Sequence, residues 1–487
     1  MAEGYAHKGF PQPPDPGLWS TVAVDPFSDL HHRLSVVQPR LYTGQGEHGS
    51  AWAPPGHAVM VLGPPRSGKT TAVVIPNVLA APGPVITTST KPDVLRATID
   101  ARSALGRCWL FDPSGTVPTP EGATRLSWSP VGVSGQWDEA LVTARVMVGA
   151  ARPGGRVGEA AHWNERAEAL LGSLLHAAAL CGGDMTTVVH WVLAHDAGPA
   201  RAAVAGHGAV LASAVLAGLA ATDAREMSAI WSTAGGVLAA YRSDAVLTQA
   251  SDTNFDPYRF AATSDTVYVC APARYQALVA PIVVAFMEQV RAATYQAAAE
   301  NTLALPVTLV LDEVANIAPL PDLPAMVSEG GGQGLLTLAC LQDLSQARYR
   351  WGSQADGFPS LFGTKLLLPG IADLQTLQLV SRLGGEIDVP QRSTSRGPWW
   401  GPGRGAPTVS WSNHRQARLP LDTVRQLAPG SGIVIAGSDP PAHVALPPWW
   451  RAPLLQPANA LDRPTPQLSQ RHRGRPQPQQ RHDLDLH

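Results

Sequence analysis

Gly63-Pro64-Pro65-Arg66-Ser67-Gly68-Lys69-Thr70 fits the pattern G-x-x-x-x-G-K-[ST], and what flanks it decides the fold. Residues 57–62 (HAVMVL) read as a short apolar strand running into the loop. Residues 70–79 read as the helix that leaves it, with Pro76 implying a bend or an early end. Strand, glycine loop and helix together are the context in which this pattern cradles phosphate. Gly63 and Gly68 let the backbone turn tightly so that successive N–H groups face one anion. Lys69 brings a positive charge to the β- and γ-phosphates, and the Thr70 hydroxyl can ligate Mg²⁺. The helix N-terminus adds its partial positive charge. The loop therefore implies ATP and Mg²⁺ as ligands, with Gly63, Pro64, Pro65, Arg66, Ser67, Gly68, Lys69, Thr70 and Thr71 as the nucleotide-binding set.

Outward from the loop, residues 84–88, 107–111, 266–271, 307–311, 335–341 and 364–368 are short runs rich in Val, Leu and Ile without alternation. Strands buried on both faces of a parallel sheet look like this. Helical stretches such as 278–298 and 373–383 separate several of them, which predicts an α/β sheet with helices on both sides. Between 137 and 248 no strand pattern is evident. The stretch is Ala-rich, and Ala167, Leu170, Leu171, Leu174 and Leu175 recur at helical spacing. The expected organisation is an irregular N-terminal arm over 1–55, a nucleotide-binding domain in two segments (56–136 and 249–450), an all-α insertion over 137–248, and a disordered tail over 451–487. The tail is rich in Gln, Pro, Arg and His and has too little apolar surface to fold. Residues 393–407 read as a Gly/Pro/Trp loop, and 432–436 and 443–446 as a last pair of strands.

The chain has 487 residues, room for two or three domains, and 45% of them are hydrophobic, enough for a large core. A formal net charge of −2 excludes blanket polyanion binding, so any nucleic-acid contact must be a local patch. Arg392, Arg396, Arg404, Arg415 and Arg418 around Trp399, Trp400 and Trp411 make one such candidate, suited to phosphate contact and base stacking. Arg471, Arg473, Arg475 and Arg481 in the tail make a weaker one. Cys108, Cys181, Cys270 and Cys340 are far apart without metal-ligand spacing and read as buried, reduced thiols. No signal peptide and no transmembrane helix are expected. The closest approach to a span, 202–221, is mostly Ala and Gly and reads as two helices with a turn at Gly206-His207-Gly208.

The partner of a phosphate loop is an apolar strand ending in acids, and Val307-Thr308-Leu309-Val310-Leu311-Asp312-Glu313 supplies one. Asp312 is placed to hold Mg²⁺ with Thr70, and Glu313 to orient and deprotonate the attacking water. Gln342, just past the run 335–341, can report the γ-phosphate. Lys69, Glu313 and Gln342 are the expected catalytic groups. A ring-forming ATPase often completes its site with a neighbour's cation. Arg348, Arg350, Lys365 and Arg382 are the candidates, and the sequence does not choose between them.

The loop GPPRSGKT, the stretch LVLDEVANIAPLPDLP and the later CLQDLSQARYRWG resemble the TraG/TraD family of type IV secretion coupling proteins, the conjugative DNA-transfer ATPases. Lys91-Pro92-Asp93 stands where the family has a Lys-Gly-Glu-like turn. His162-Trp163-Asn164 opens a helix like the one that starts the family's helical domain. Residues 373–384, 420–427 and Asp439-Pro440-Pro441 resemble its C-terminal part, so the likeness runs from about residue 46 to 450. The Asp-Glu-x-x-Asn and Leu-Gln-x-x-x-Gln contexts are more specific than the two nucleotide motifs. The resemblance implies a RecA-like P-loop NTPase sheet domain with an inserted all-α domain, assembled as a homo-hexamer. It implies ATP-driven passage of DNA with its attached relaxase into a secretion channel, in company with the channel ATPases. Members commonly begin with transmembrane helices. Without one, this chain is expected in the cytoplasm, reaching the inner face of the cell membrane through a membrane-anchored partner. Lys365 falls near the family's trans-acting position. Competing readings are the same motor passing protein effectors, an FtsK-like DNA translocase with no secretion partner, and a non-hydrolysing nucleotide-switch adaptor. The intact Asp312-Glu313 pair speaks against the last.

Overall fold

The computed structural model describes residues 27–152, 159–395 and 408–455. Its strands, in chain order, are β1 (Tyr42–Gly46), β2 (Gly49–Trp52), β3 (Val59–Leu62), β4 (Val85–Ser89), β5 (Cys108–Phe111), β6 (Ala123–Arg125), β7 (Thr266–Cys270), β8 (Val307–Leu311), β9 (Leu335–Leu341), β10 (Thr364–Leu367), β11 (Glu386–Ser395), β12 (Thr408–Ala417), β13 (Ser431–Ala436) and β14 (Ala442–Ala445). Twelve of them form one sheet in the order β2-β1-β14-β13-β10-β3-β9-β8-β4-β7-β5-β6. From β10 to β6 every pairing is parallel. From β10 outward through β13, β14, β1 and β2 every pairing is antiparallel. β11 and β12 make a separate antiparallel ribbon.

The non-alternating runs fall where the physics requires: β3, β8 and β9 are buried at every position. Successive residues nonetheless serve different cores. Val59 and Val61 pack into one apolar cluster with Val73, Val78 and Leu95, from the helices on that face. Met60 and Leu62 pack into the other, with Phe286 and Val283 of the helix Gln276–Ala299. That second cluster runs on without a break into Leu170, Leu174, Val188 and Trp231 of the helical stretch. From Trp137 to Gln249 no strand occurs among the described residues, and the helices Trp137–Ala151 and Glu159–Leu180 lie against the same core. Leu170 and Leu174 are fully buried. The turn between the helices Gly198–Gly206 and Val210–Ala220 falls at His207 and Gly208, whose φ is 71°.

Several expectations are corrected. The N-terminal segment is not irregular up to residue 55: Ser28–Val37 is a helix, and β1 and β2 form a hairpin on the sheet edge. Long-range contacts that leave no local pattern order it. The fully buried Tyr42 ring meets Trp52 edge-on at 5.7 Å. The Asn77 side chain accepts from the Tyr42 N–H at 2.8 Å and donates to its carbonyl at 2.9 Å. His31 Nε2 bonds the Leu79 carbonyl at 2.7 Å. Both anchors sit on the helix that follows the phosphate loop. The C-terminal side stays packed through Leu455, which is buried with Ala452; the rest of the expected tail lies outside the described residues. The Gly/Pro/Trp stretch is flanked by strands, since β11 reaches Ser395 and β12 starts at Thr408. Arg396, Trp399, Trp400 and Arg404 lie outside the described residues. Cys181 is exposed, while the other three cysteines are buried. Among the described residues, one helix is long and apolar enough to cross a membrane by composition, Gln276–Ala299 rather than the 202–221 region, and 72% of its most apolar stretch is buried inside the protein.

Candidate nucleotide-binding site

The phosphate loop begins where β3 ends. The Gly63 N–H donates to the Leu341 carbonyl at 3.1 Å, which fixes the loop to the tip of β9. A Cβ on Gly63 would stand 2.6 Å from Ser67 Oγ and 2.9 Å from Leu368 Cβ, so no side chain fits. The loop then turns through left-handed residues at Arg66 (φ 66°) and Gly68 (φ 97°). Around Gly68 there is open space, so its glycine answers to backbone conformation and not to crowding. Pro65 and Arg66 are exposed, Pro64 is half-buried, and the Thr71 hydroxyl donates back to the Gly68 carbonyl at 3.3 Å. The helix opens with a wide π turn at Thr70–Val74 and continues as Ile75–Ala80. The wide turn comes just ahead of Pro76, which has no N–H for a regular i→i−4 bond, so the expected bend is absorbed there.

Lys69 is 7% exposed, and its ammonium donates to the loop's own Gly63 and Pro64 carbonyls, the latter at 3.0 Å. Ser67 Oγ is buried with no hydrogen-bond partner. Opposite, at the end of β8, Asp312 Oδ2 accepts from Thr70 Oγ1 at 2.7 Å, joining residues 242 positions apart. Asp312 Oδ1 accepts from the Glu313 N–H at 3.1 Å, and the Asp312 carbonyl accepts from Thr88 Oγ1, on β4, at 2.6 Å. Burial pushes the Asp312 carboxyl up to about 6; the Glu313 and Asp93 charges add to this, while the Thr70 hydrogen bond and Lys69 oppose it. Asp93 belongs to the Lys91-Pro92-Asp93 turn and is held by Ser89 Oγ at 3.0 Å. Glu313 has a left-handed backbone (φ 52°, ψ 44°), and its Oε2 accepts from Asn316 Nδ2 at 3.1 Å. Gln342 directly follows Leu341, the residue that holds Gly63, and its N–H donates to Gln346 Oε1 at 3.0 Å.

The fold thus brings Lys69, Thr70, Asp312, Glu313 and Gln342 to the C-terminal ends of three adjacent parallel strands, where ligands bind in such sheets. An unpartnered buried hydroxyl, a loop with two left-handed turns and a lysine donating only to loop carbonyls fit a phosphate group. A threonine hydroxyl on a buried carboxylate fits a hard cation. The four cation candidates separate by environment. Lys365 lies within β10 between β3 and β13, is 8% exposed, and burial lowers its pKa. Arg348 faces Asp373 at 3.4 Å. Arg350 donates from Nε to the Ala315 carbonyl at 2.6 Å. Arg382 is exposed in the last turn of the helix Leu374–Leu383. Sequence reading noted the Asp-Glu-x-x-Asn spacing but not that Asn316 holds Glu313, which needs the left-handed turn between them.

A glycine-lysine loop facing a strand-terminal acidic pair on a parallel sheet, with a helical region between β6 and β7, defines a P-loop NTPase of RecA-like α/β fold. Residues 28–472 match the family model "Type IV secretory system Conjugative DNA transfer", and the chain belongs to that family. Among solved structures it is similar to the bacterial conjugative coupling protein TrwBdeltaN70 in an unbound monoclinic form (18% identity, TM-score 0.63, covering 86% of this chain and 92% of that one). It is likewise similar to plasmid coupling protein TrwB with the non-hydrolysable GTP analogue GDPNP (18%, 0.63, 85% and 92%) and with ADP and Mg²⁺ (18%, 0.61, 80% and 85%). No curated protein sequence matches it.

Proposed function

We propose that this protein is the ATP-hydrolysing coupling motor of a type IV secretion or conjugation system, recruiting DNA with its relaxase and driving it into the channel. The observation that carries the reading is the Thr70–Asp312 contact at 2.7 Å, with Glu313 next in chain and Lys69 across from it. Lys69 exchanges its loop carbonyls for the β- and γ-phosphate oxygens of ATP, and the N–H groups around Gly68 close on the same anion. Thr70 and Asp312 hold Mg²⁺, which neutralises phosphate charge. Glu313 orients the attacking water and takes its proton, and Gln342 at the tip of β9 registers the γ-phosphate. Homologues crystallised with nucleotide and Mg²⁺ support this assignment of ligands.

Membership of a conjugative DNA-transfer family supports DNA as the cargo. The ribbon gives DNA a local surface on a chain of net charge −2: Arg392 pairs directly across from Trp411, whose side chain is 67% exposed. The working form is a homo-hexamer in the cytoplasm, brought to the inner face of the membrane by an anchored partner and acting with the channel ATPases. Turnover of Mg·ATP should rise several-fold with single- or double-stranded DNA. If both leave turnover unchanged while a secreted protein raises it, the cargo is protein.

A further inference from the structure

Glu313 is held more tightly than a base at the end of a strand needs to be. Its backbone is left-handed (φ 52°), a conformation that a residue with a Cβ adopts only at a cost. Asn316, three residues on, contacts it twice: the Asn316 N–H donates to the Glu313 carbonyl at 2.9 Å, and Asn316 Nδ2 donates to Glu313 Oε2 at 3.1 Å. The contact occupies one carboxylate oxygen and leaves Oε1 free to accept. It also removes freedom from a side chain with three rotatable bonds.

Asn316 is itself firmly seated. It lies in the short helix Val314–Ile317, whose Val314, Ala315 and Ile317 are fully buried. Two bonds from the helix Leu344–Trp351 clamp this segment: Arg350 Nε to the Ala315 carbonyl at 2.6 Å, and Trp351 Nε1 to the Leu320 carbonyl at 2.7 Å. The same helix starts just past Gln342 and caps that residue's N–H through Gln346. One rigid helix therefore touches the residue at the tip of β9 with one end and the support of Glu313 with the other.

We propose that Asn316 is a positioning residue for Glu313, gripping Oε2 so that Oε1 is presented to the attacking water, with Arg350 holding Asn316 in place. The inference rests on the reading of Glu313 as the base and adds how that base is aimed. The grip acts on chemistry and not on nucleotide affinity, so it separates from a structural role in kinetics.

The test is steady-state ATP turnover, with DNA present, for the parent, N316A, N316D, N316Q and E313Q, alongside the Kd of a non-hydrolysable ATP analogue. N316D keeps the shape of the side chain but lacks the donor. We expect N316A and N316D to lower kcat about tenfold or more, with KM and the analogue Kd within twofold of the parent, and N316Q to recover part of the loss. Parental kcat in both N316A and N316D overturns the proposal. So does a loss appearing only as raised KM and weakened analogue binding. E313Q separates the two failures: if it hydrolyses ATP like the parent, the base itself is misassigned. If it is inactive while the Asn316 variants are not, only the positioning role fails. A parent that binds ATP and leaves it intact overturns both.

Discussion

The nucleotide site and the β11–β12 ribbon carry polar residues under opposite conditions. At the site, Lys69 and Asp312 are each 7% exposed, and the Thr70–Asp312, Thr88–Asp312 and Gly63–Leu341 contacts join segments far apart in sequence. Burial there gives each charge a defined partner and shifts the carboxyl of Asp312. The ribbon pairs ten residues with ten in perfect register, yet its charges stay wet: Arg415 lies 3.8 Å from Asp388 with its side chain 78% exposed. Such an ion pair contributes little, and a two-stranded ribbon solvated on both faces is marginal by itself. The site is finished before its ligand arrives. The ribbon instead leaves its side chains to solvent along nearly its whole length.

The largest expected effect falls at the site. K69A should lower ATP turnover at least about 100-fold and leave DNA binding at the ribbon intact, measured by an ATPase assay beside DNA titration. A variant with parental turnover would remove the loop from the chemistry. The second prediction uses the carboxyl of Asp312. Its folded pKa of about 6 lies above the 3.8 of the free group, so the folded state holds this proton more tightly than the unfolded one. Stability from the group is therefore present at low pH and lost as pH rises through about 6, a change of roughly 2–3 kcal/mol at most. Mg·ADP takes up the bared charge, so it should raise Tm more at pH 8 than at pH 5. Equal shifts at the two pH values would show that Asp312 does not face the ion. The smallest effect belongs to the ribbon. W411A and R392A should each weaken single-stranded DNA binding by about 1–3 kcal/mol while leaving Tm and basal turnover unchanged. A drop in Tm would instead mean that the ribbon packs on its own protein.

The same contrast explains what could be read from sequence. The strands at the site, β3, β8 and β9, are buried on both faces and show as apolar runs, so their positions were legible within two residues. So were the motif residues they carry. The edge elements were not: YTGQG in β1, GSAW in β2 and ATR in β6 hold no apolar run, and their order comes from Asn77, Trp52 and the neighbouring strands. The ribbon strands EIDVPQRSTS and TVSWSNHRQA alternate only two large apolar residues each, Ile387 with Val389 and Val409 with Trp411, too short a pattern to mark ten-residue strands, and Ile387, Val409 and Trp411 stay exposed. Lys365 looked like a surface cation because a lysine gives no sign, in sequence, of lying inside a sheet.

The strand order also governs when the protein can take shape during synthesis. β3, β4 and β5 come early in the chain, yet none neighbours another: β3 lies between β10 and β9, β4 between β8 and β7, and β5 between β7 and β6. The nascent chain therefore holds three apolar strands, each with at least one bare edge, until residue 266 or later emerges. The phosphate loop has no anchor until Leu341 has been made. Such long-range pairing slows folding and leaves sticky edges exposed. Residues up to Leu341 of the 487 must be translated before the chain's most recognisable motif acquires a shape.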